Sequence, residues 1–216
     1  MADPTGPPFG DADGAGSDGR SLRRQRNREA VIDALIGLIN EGDLTPGAKQ
    51  IAERAGVSHR SVFRYFDDMT DLVETAVRRE FVAAATLAAL PRVHPESPLA
   101  TRIDALVESR LVWYRSVANA ANVARHQSAR YRRISEEMTG LAAFLRRELL
   151  AYFAPELDGL EEETRIAVTE AVMTLTSFDA WDLARRVYRH YDEQIRRSWS
   201  TALDVLLCNA AALGTR

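Results

Sequence analysis

The chain has 216 residues, 46% of them hydrophobic, which suffices for one sizeable core or two smaller ones and excludes a disordered or fibrous protein. Its 31 acidic and 28 basic residues give a net charge of −3, and its single cysteine, Cys208, leaves no scope for an internal disulfide or a multi-cysteine metal site. The longest apolar run, from Phe81 to Leu90, is broken by Thr86 and reaches about half of the roughly 20 residues a membrane helix needs. The N-terminus carries Asp, Gly and Pro rather than a basic and apolar leader, so a cytoplasmic protein with no membrane partner is expected.

Residues 1–19 are rich in Gly, Pro, Asp and Ala without apolar periodicity, which predicts a disordered tail. From Ser21 a helix is predicted, with Val31, Leu35, Leu38 and Ile39 on one face, ending near Glu41 and Gly42. The stretch Thr45 to Phe66, TPGAKQIAERAGVSHRSVFRYF, then has the spacing of a helix-turn-helix. Ala52 supplies the small residue where two helices cross, Gly56 the turn, and Val62 the apolar anchor of the second helix. Thr45 is expected to cap the first helix with Pro46 at its first position, and Ser58 to cap the second. A further helix, with Met69, Leu72, Val73, Ala76 and Val77 on its apolar side, connects onward through residues 67–90.

Charge concentrates on this part of the chain: between Arg20 and Phe66 nine cations face five acids, a net +4 within a chain of net −3. Residues 20–66 therefore read as a DNA-binding domain whose partner is double-stranded DNA. A recognition helix opening at Ser58 projects His59, Arg60 and Ser61 toward base edges, with Arg60 the candidate for guanine or, equally, for a phosphate. Thr45, Lys49, Arg64 and Tyr65 lie where such a motif meets the backbone, and the arm residues Arg23, Arg24, Arg26 and Arg28 can track phosphates or enter the minor groove.

The sequence IAERAGVS followed by SVFRYF resembles the signature of the tetracycline-repressor (TetR) family of bacterial transcription regulators, over Arg28 to Val77. The resemblance implies an all-α protein: an N-terminal three-helix DNA-binding domain, and a C-terminal helical bundle that dimerises and holds a small effector whose binding relieves repression. The chain departs from the family's usual pattern at Arg60, where glycine is common, at Phe63 for tyrosine, and at Met69 for lysine. The family's threonine at the position of Pro46 stands displaced at Thr45.

Three prolines between Pro91 and Pro98 predict a loop, after which residues 99–216 read as helices. Leu99, Ile103, Leu106, Arg110, Trp113 and Val117 form one stripe; a short helix is expected around Ala121 to Gln127; Tyr131, Ile134, Met138, Leu141, Leu145 and Leu149 form the next stripe. After a break at Pro155 to Gly159, two final helices are predicted, Glu161 to His190 and Tyr191 to Ala212. Arg110 interrupts an apolar stripe, so it needs an anion: either an effector's or the carboxylate of Asp179. With Trp113, Val117, His126, Phe144, Met173, Ser177 and Trp181 it makes the candidate effector site. In the resembling family the last two helices pack against their counterparts, which assigns Val172, Leu175, Leu183, Trp199, Leu203 and Leu206 to a homodimer interface.

No HExxH pair, glycine-rich phosphate loop or Ser-His-Asp set appears, and His59, His94, His126 and His190 are scattered, so neither an enzyme nor a bound metal or cofactor is expected. The alternative function is an architectural or constitutive DNA binder without an effector, which would not need the large aromatic-rich helical domain after residue 98.

Overall fold

Apolar residues at helical spacing, punctuated by Gly, Pro and Ser, organise the whole chain. In a computed structural model that describes residues 14–84, 87, 96–128 and 132–214, every regular element is an α-helix. The chain divides into two compact units, Met1–Ala76 and Val77–Arg216.

The first unit is built from α1 (Gly14–Asn40), α2 (Ala48–Ala55), α3 (His59–Tyr65) and the start of α4 (Met69–Ala83). Val31, Ile32, Leu35, Leu38 and Ile39 of α1 close over Ile51 and Ala52 of α2, Val62 and Phe66 at α3, and Leu72 and Ala76 of α4, all buried. At about 1.5–3 kcal/mol per fully buried aliphatic or aromatic side chain, this small core is what holds three short helices together. Gly37 lets α2 approach α1 closely: a Cβ there would lie 2.7 Å from the Arg54 guanidinium. That guanidinium grips Glu41 through two 2.7 Å hydrogen bonds, which hold the Glu41 carboxyl below its usual pKa.

The turn follows the sequence expectation at Gly56, which takes φ +66° as the left-handed cap of α2, and at Ser58, whose Oγ accepts the Ser61 N–H at 3.2 Å. Thr45 and Pro46 do not cap α2. Helical hydrogen bonding starts at Gly47, because Asp43 Oδ1 accepts the Thr45 N–H at 3.1 Å and holds the chain in a turn before the proline. The tail also differs: α1 is helical from Gly14, so residues 14–19 extend a helix already nucleated by the packed residues behind them, while residues 1–13 lie outside the described residues.

The second unit packs around α5 (Leu99–Ser128), with α6 (Arg132–Tyr152), the short α7 (Ala154–Leu157), α8 (Glu162–Leu175), α9 (Phe178–Arg186) and α10 (Asp192–Gly214). Leu106, Leu111, Leu149, Phe153, Val172, Leu203 and Leu207 form its centre. Of the loop expected at 91–98, residues 96–98 are non-helical and 91–95 lie outside the described residues, as do Tyr131 and the side chain of Ile134. No separate helix exists at Ala121 to Gln127. Burial of Ala121, Val123 and Ala124 carries α5 straight through to Ser128.

The predicted Glu161–His190 helix is instead two helices, α8 and α9. Tyr114 donates its phenol hydrogen to the Thr176 carbonyl at 2.7 Å, satisfying an acceptor that a continuous helix would have used, and Ser177 Oγ caps α9 through the Ala180 N–H. A buried ion pair pins α5 to α7: the Arg102 guanidinium holds both oxygens of Glu156 and also donates to the Tyr152 and Ser97 carbonyls. No helix among the described residues is long and apolar enough to cross a membrane.

Candidate nucleic-acid interface and ligand cavity

In the first unit the capped start of α3 leaves His59 and Arg60 exposed, while Val62 and Phe66 turn inward. Among the described residues Arg60 makes no ion pair, so its guanidinium is available to a partner. His59 sits edge-on to Phe63, 5.2 Å between ring centres, and Phe63 is 44% exposed. Ser61 is drawn back instead: its hydroxyl lies 2.9 Å from Ser58 Oγ, so part of its bonding capacity is spent on the cap.

The arm and the end of α3 converge in a way that single-residue assignments missed. Arg20, Arg23, Arg24 and Asn27 recur at three- and four-residue spacing along one face of α1 and meet Arg64 and Tyr65 in an open cleft of about 480 Å³. Tyr65 lies at its base, 8% exposed, its phenol oxygen accepting from Asn27 Nδ2 at 3.2 Å and from the Arg64 guanidinium at 2.8 Å. The Asn27 bond chiefly, then Arg64, lowers the phenol pKa. Tyr65 therefore orients Asn27 and Arg64 through its oxygen, and its own O–H remains a donor. Arg26 is exposed on α1. Arg28 is half-buried, its guanidinium 4.7 Å from the Phe66 ring centre and 3.7 Å from Glu29. Thr45 and Lys49 are exposed, Lys49 3.9 Å from Glu53.

In the second unit a cavity of about 210 Å³ opens beside the α8–α9 break. Of the residues grouped into a candidate effector site, Arg110, Trp113, Val117, Met173 and Ser177 line it; Tyr114, Arg125, Thr176, Phe178 and Asp179 complete much of the wall. Three candidates stand elsewhere. Trp181 is buried behind the wall against Tyr114 and Phe178, Phe144 packs on the core, and His126 is exposed with Nδ1 2.8 Å from the Asn122 carbonyl. The sequence reading missed that wall because the break at Thr176 and Ser177, which turns Phe178 and Asp179 toward α5, is made by a distant contact.

Arg110 does not pair with Asp179. That carboxylate binds Arg125, which also reaches Asp182 at 3.1 Å and Asn122 at 2.7 Å. Arg110 is 1% exposed, lies 5.8 Å from the Trp113 ring centre, and leaves Nη1 without a hydrogen-bond partner among the described residues. Burial lowers its pKa, and Tyr114 and Glu148 partly offset that. The neighbouring Tyr114 phenol is pushed up to about 12, chiefly by burial.

Of the residues assigned to an interface, Val172, Trp199 and Leu203 are buried within the chain's own core and so present nothing to a partner. The stripe of α10 is filled from inside by α5, and that of α8 by α10 and α6. Leu175 and Leu206 border a surface groove with Ala202 and Val205, and Leu183 is 43% exposed.

A model of the tetR family of bacterial regulatory proteins matches residues 31–76. The HTH-type transcriptional repressor LfrR of Mycolicibacterium smegmatis is 35% identical over 89 residues, 41% of this chain and 46% of that protein, so the match spans about half the relative's length. The crystal structure of a tetR-family transcriptional regulator from Streptomyces coelicolor superposes with a TM-score of 0.65 at 17% identity, covering 87% of this chain and 83% of that one. A transcriptional regulator from Rhodococcus sp. Rha1 gives 0.63 at 16% identity, with 86% and 96% covered. These two likenesses extend the shared fold into the second unit. The chain is thus similar to the tetR family of bacterial regulatory proteins in sequence over residues 31–76, from α1 to α4, and to the two solved regulators in fold beyond them.

Proposed function

We propose that this protein is a homodimeric transcriptional repressor, without enzymatic activity and acting in the cytoplasm, that holds a roughly palindromic operator through two copies of α3 and leaves it when a small molecule fills the cavity beside α9. The observation that carries the reading is the exposed, capped start of α3 beside the arginine-walled cleft of α1, which together offer base-reading and phosphate-neutralising groups. The Mycolicibacterium relative is named a repressor, which supports the sign of regulation. The groove between α8 and α10, with Leu175, Val205 and Leu206, supports self-association, because a two-fold operator needs two reading heads. A ligand releases DNA only if it binds the released conformation better, by a few kcal/mol for a useful shift.

Selection from a random duplex library, followed by titration across salt, tests the DNA reading. Wild type is expected to return a two-fold motif, and replacing Arg20, Arg23 and Arg24 together by Ala to reduce the slope of log K against log salt by about 0.9 for each phosphate no longer neutralised. An unchanged slope removes the cleft from the interface, and a library that returns no motif defeats the operator reading.

A further inference from the structure

From the charge state of the cavity beside α9 we infer that its ligand is a small aromatic organic acid whose carboxylate seats on Arg110 and Trp113. The inference rests on that cavity being the effector site and specifies what the effector is. Two of the residues that line it carry a buried N–H donor with no acceptor among the described residues, Arg110 at Nη1 and Trp113 at the indole Nε1. A buried cation left unpaired is among the costliest features a fold can retain, so a missing anion is the simplest account of why it stands there. Among the described residues, the neighbouring acids do not supply that anion. Asp179 and Asp182 are both engaged by Arg125, and Glu148 acts on Arg110 only from beyond ion-pair distance.

The rest of the wall sets the ligand's body. Trp113, Tyr114, Phe178 and Met173 present aromatic and thioether surface, and Tyr114 spends its hydroxyl hydrogen on the Thr176 carbonyl rather than on a ligand. A dry cavity of about 150 Å³ holds benzene. At about 210 Å³ this one holds a ring with a carboxylate and a short substituent. A guanidinium and an indole N–H can each take one carboxylate oxygen, and a cationic ligand would meet Arg110 unscreened.

Calorimetric titration of the full-length protein with benzoate, phenylacetate and naphthoate, against the matched benzamide and benzylamine, tests this. The carboxylates are expected to bind at least about tenfold more tightly than the amide or the amine, because only they bring both acceptor oxygens and the compensating charge to the buried donors. Arg110→Met is expected to abolish that preference while raising the melting temperature of the ligand-free protein by a few degrees, since it removes an uncompensated charge at nearly constant volume. A structural role for Arg110 would give the opposite melting shift. Equal binding of amide and acid, no binding of any carboxylate, or an Arg110→Met protein that melts lower or fails to fold each overturns the proposal. Operator release is followed separately by anisotropy. Carboxylates that bind without releasing DNA leave the ligand class standing and defeat the effector reading; release by a non-acid held in this cavity does the reverse.

Discussion

The two units use arginine in opposite ways. Around Tyr65, four arginines gather at the surface, where water and salt screen their mutual repulsion and the cost of keeping them together is small until a polyanion arrives. At Arg110 one arginine is sealed inside apolar and aromatic walls, where a single unmet charge outweighs several surface ones. The same side chain thus serves in one place as one of many interchangeable contacts and in the other as a specific, costly one. Arg102 supplies the control within the second unit, because it is equally buried yet fully partnered by Glu156.

The largest effect should come from that control. Glu156→Ala strands Arg102 and is expected to cost about 3–5 kcal/mol in denaturant unfolding. A loss below about 1 kcal/mol would mean that burial of arginine is cheap in this unit, and would weaken the contrast with Arg110.

Alkaline pH probes the same interior. The Tyr114 phenol is raised to about 12 in the folded protein against an unfolded value near 10, so its contribution is fully present below about pH 10 and is lost as pH rises to about 12. Between those limits the unfolded state has released a proton that the folded state keeps. Stability should therefore fall by about 1.4 kcal/mol per pH unit from this group. Melting curves of wild type and Tyr114→Phe from pH 9 to 11.5 check it; parallel pH profiles would count against a dry wall.

At the surface the expected effects are smaller and fall on binding. Arg60→Ala should cost about 1–3 kcal/mol and relax preference at one position in each half-site if the guanidinium reads guanine. An unchanged selected motif would reassign Arg60 to phosphate. Tyr65→Phe should weaken every DNA sequence alike and lower stability by only about 0.5–1.5 kcal/mol, the range for one partly buried hydrogen-bonded hydroxyl. If it changed sequence preference, Tyr65 would be a reader and not a support for Asn27 and Arg64.

How much could be read beforehand follows the range of the interactions. Gly56, Ser58, Val62 and the exposed His59 and Arg60 were legible because a turn, a cap and a helix face depend on residues within about four positions of one another. The arginine cleft was half legible: the spacing of Arg20, Arg23, Arg24 and Asn27 is in the sequence, but their meeting with Tyr65, 38 residues beyond Asn27, is not. Thr45 looked like a cap because its neighbour is proline; instead Asp43, two residues earlier, ties the Thr45 N–H into a turn and the helix opens at Gly47.

By itself, then, the sequence determined an all-helical chain, the position of its helix-turn-helix and the sign of charge on that domain, all of which depend on local propensity and periodicity. Only the tertiary structure decided that the predicted penultimate helix breaks at Thr176, because the Tyr114 hydroxyl that stabilises the break comes from 62 residues away. It alone moved Asp179 to Arg125 and left Arg110 without an ion pair among the described residues, and it enclosed Val172, Trp199 and Leu203 in the chain's own core. An apolar or charged residue on a helix stripe states that it needs a partner; which partner it obtains is set by the packing of helices distant in sequence.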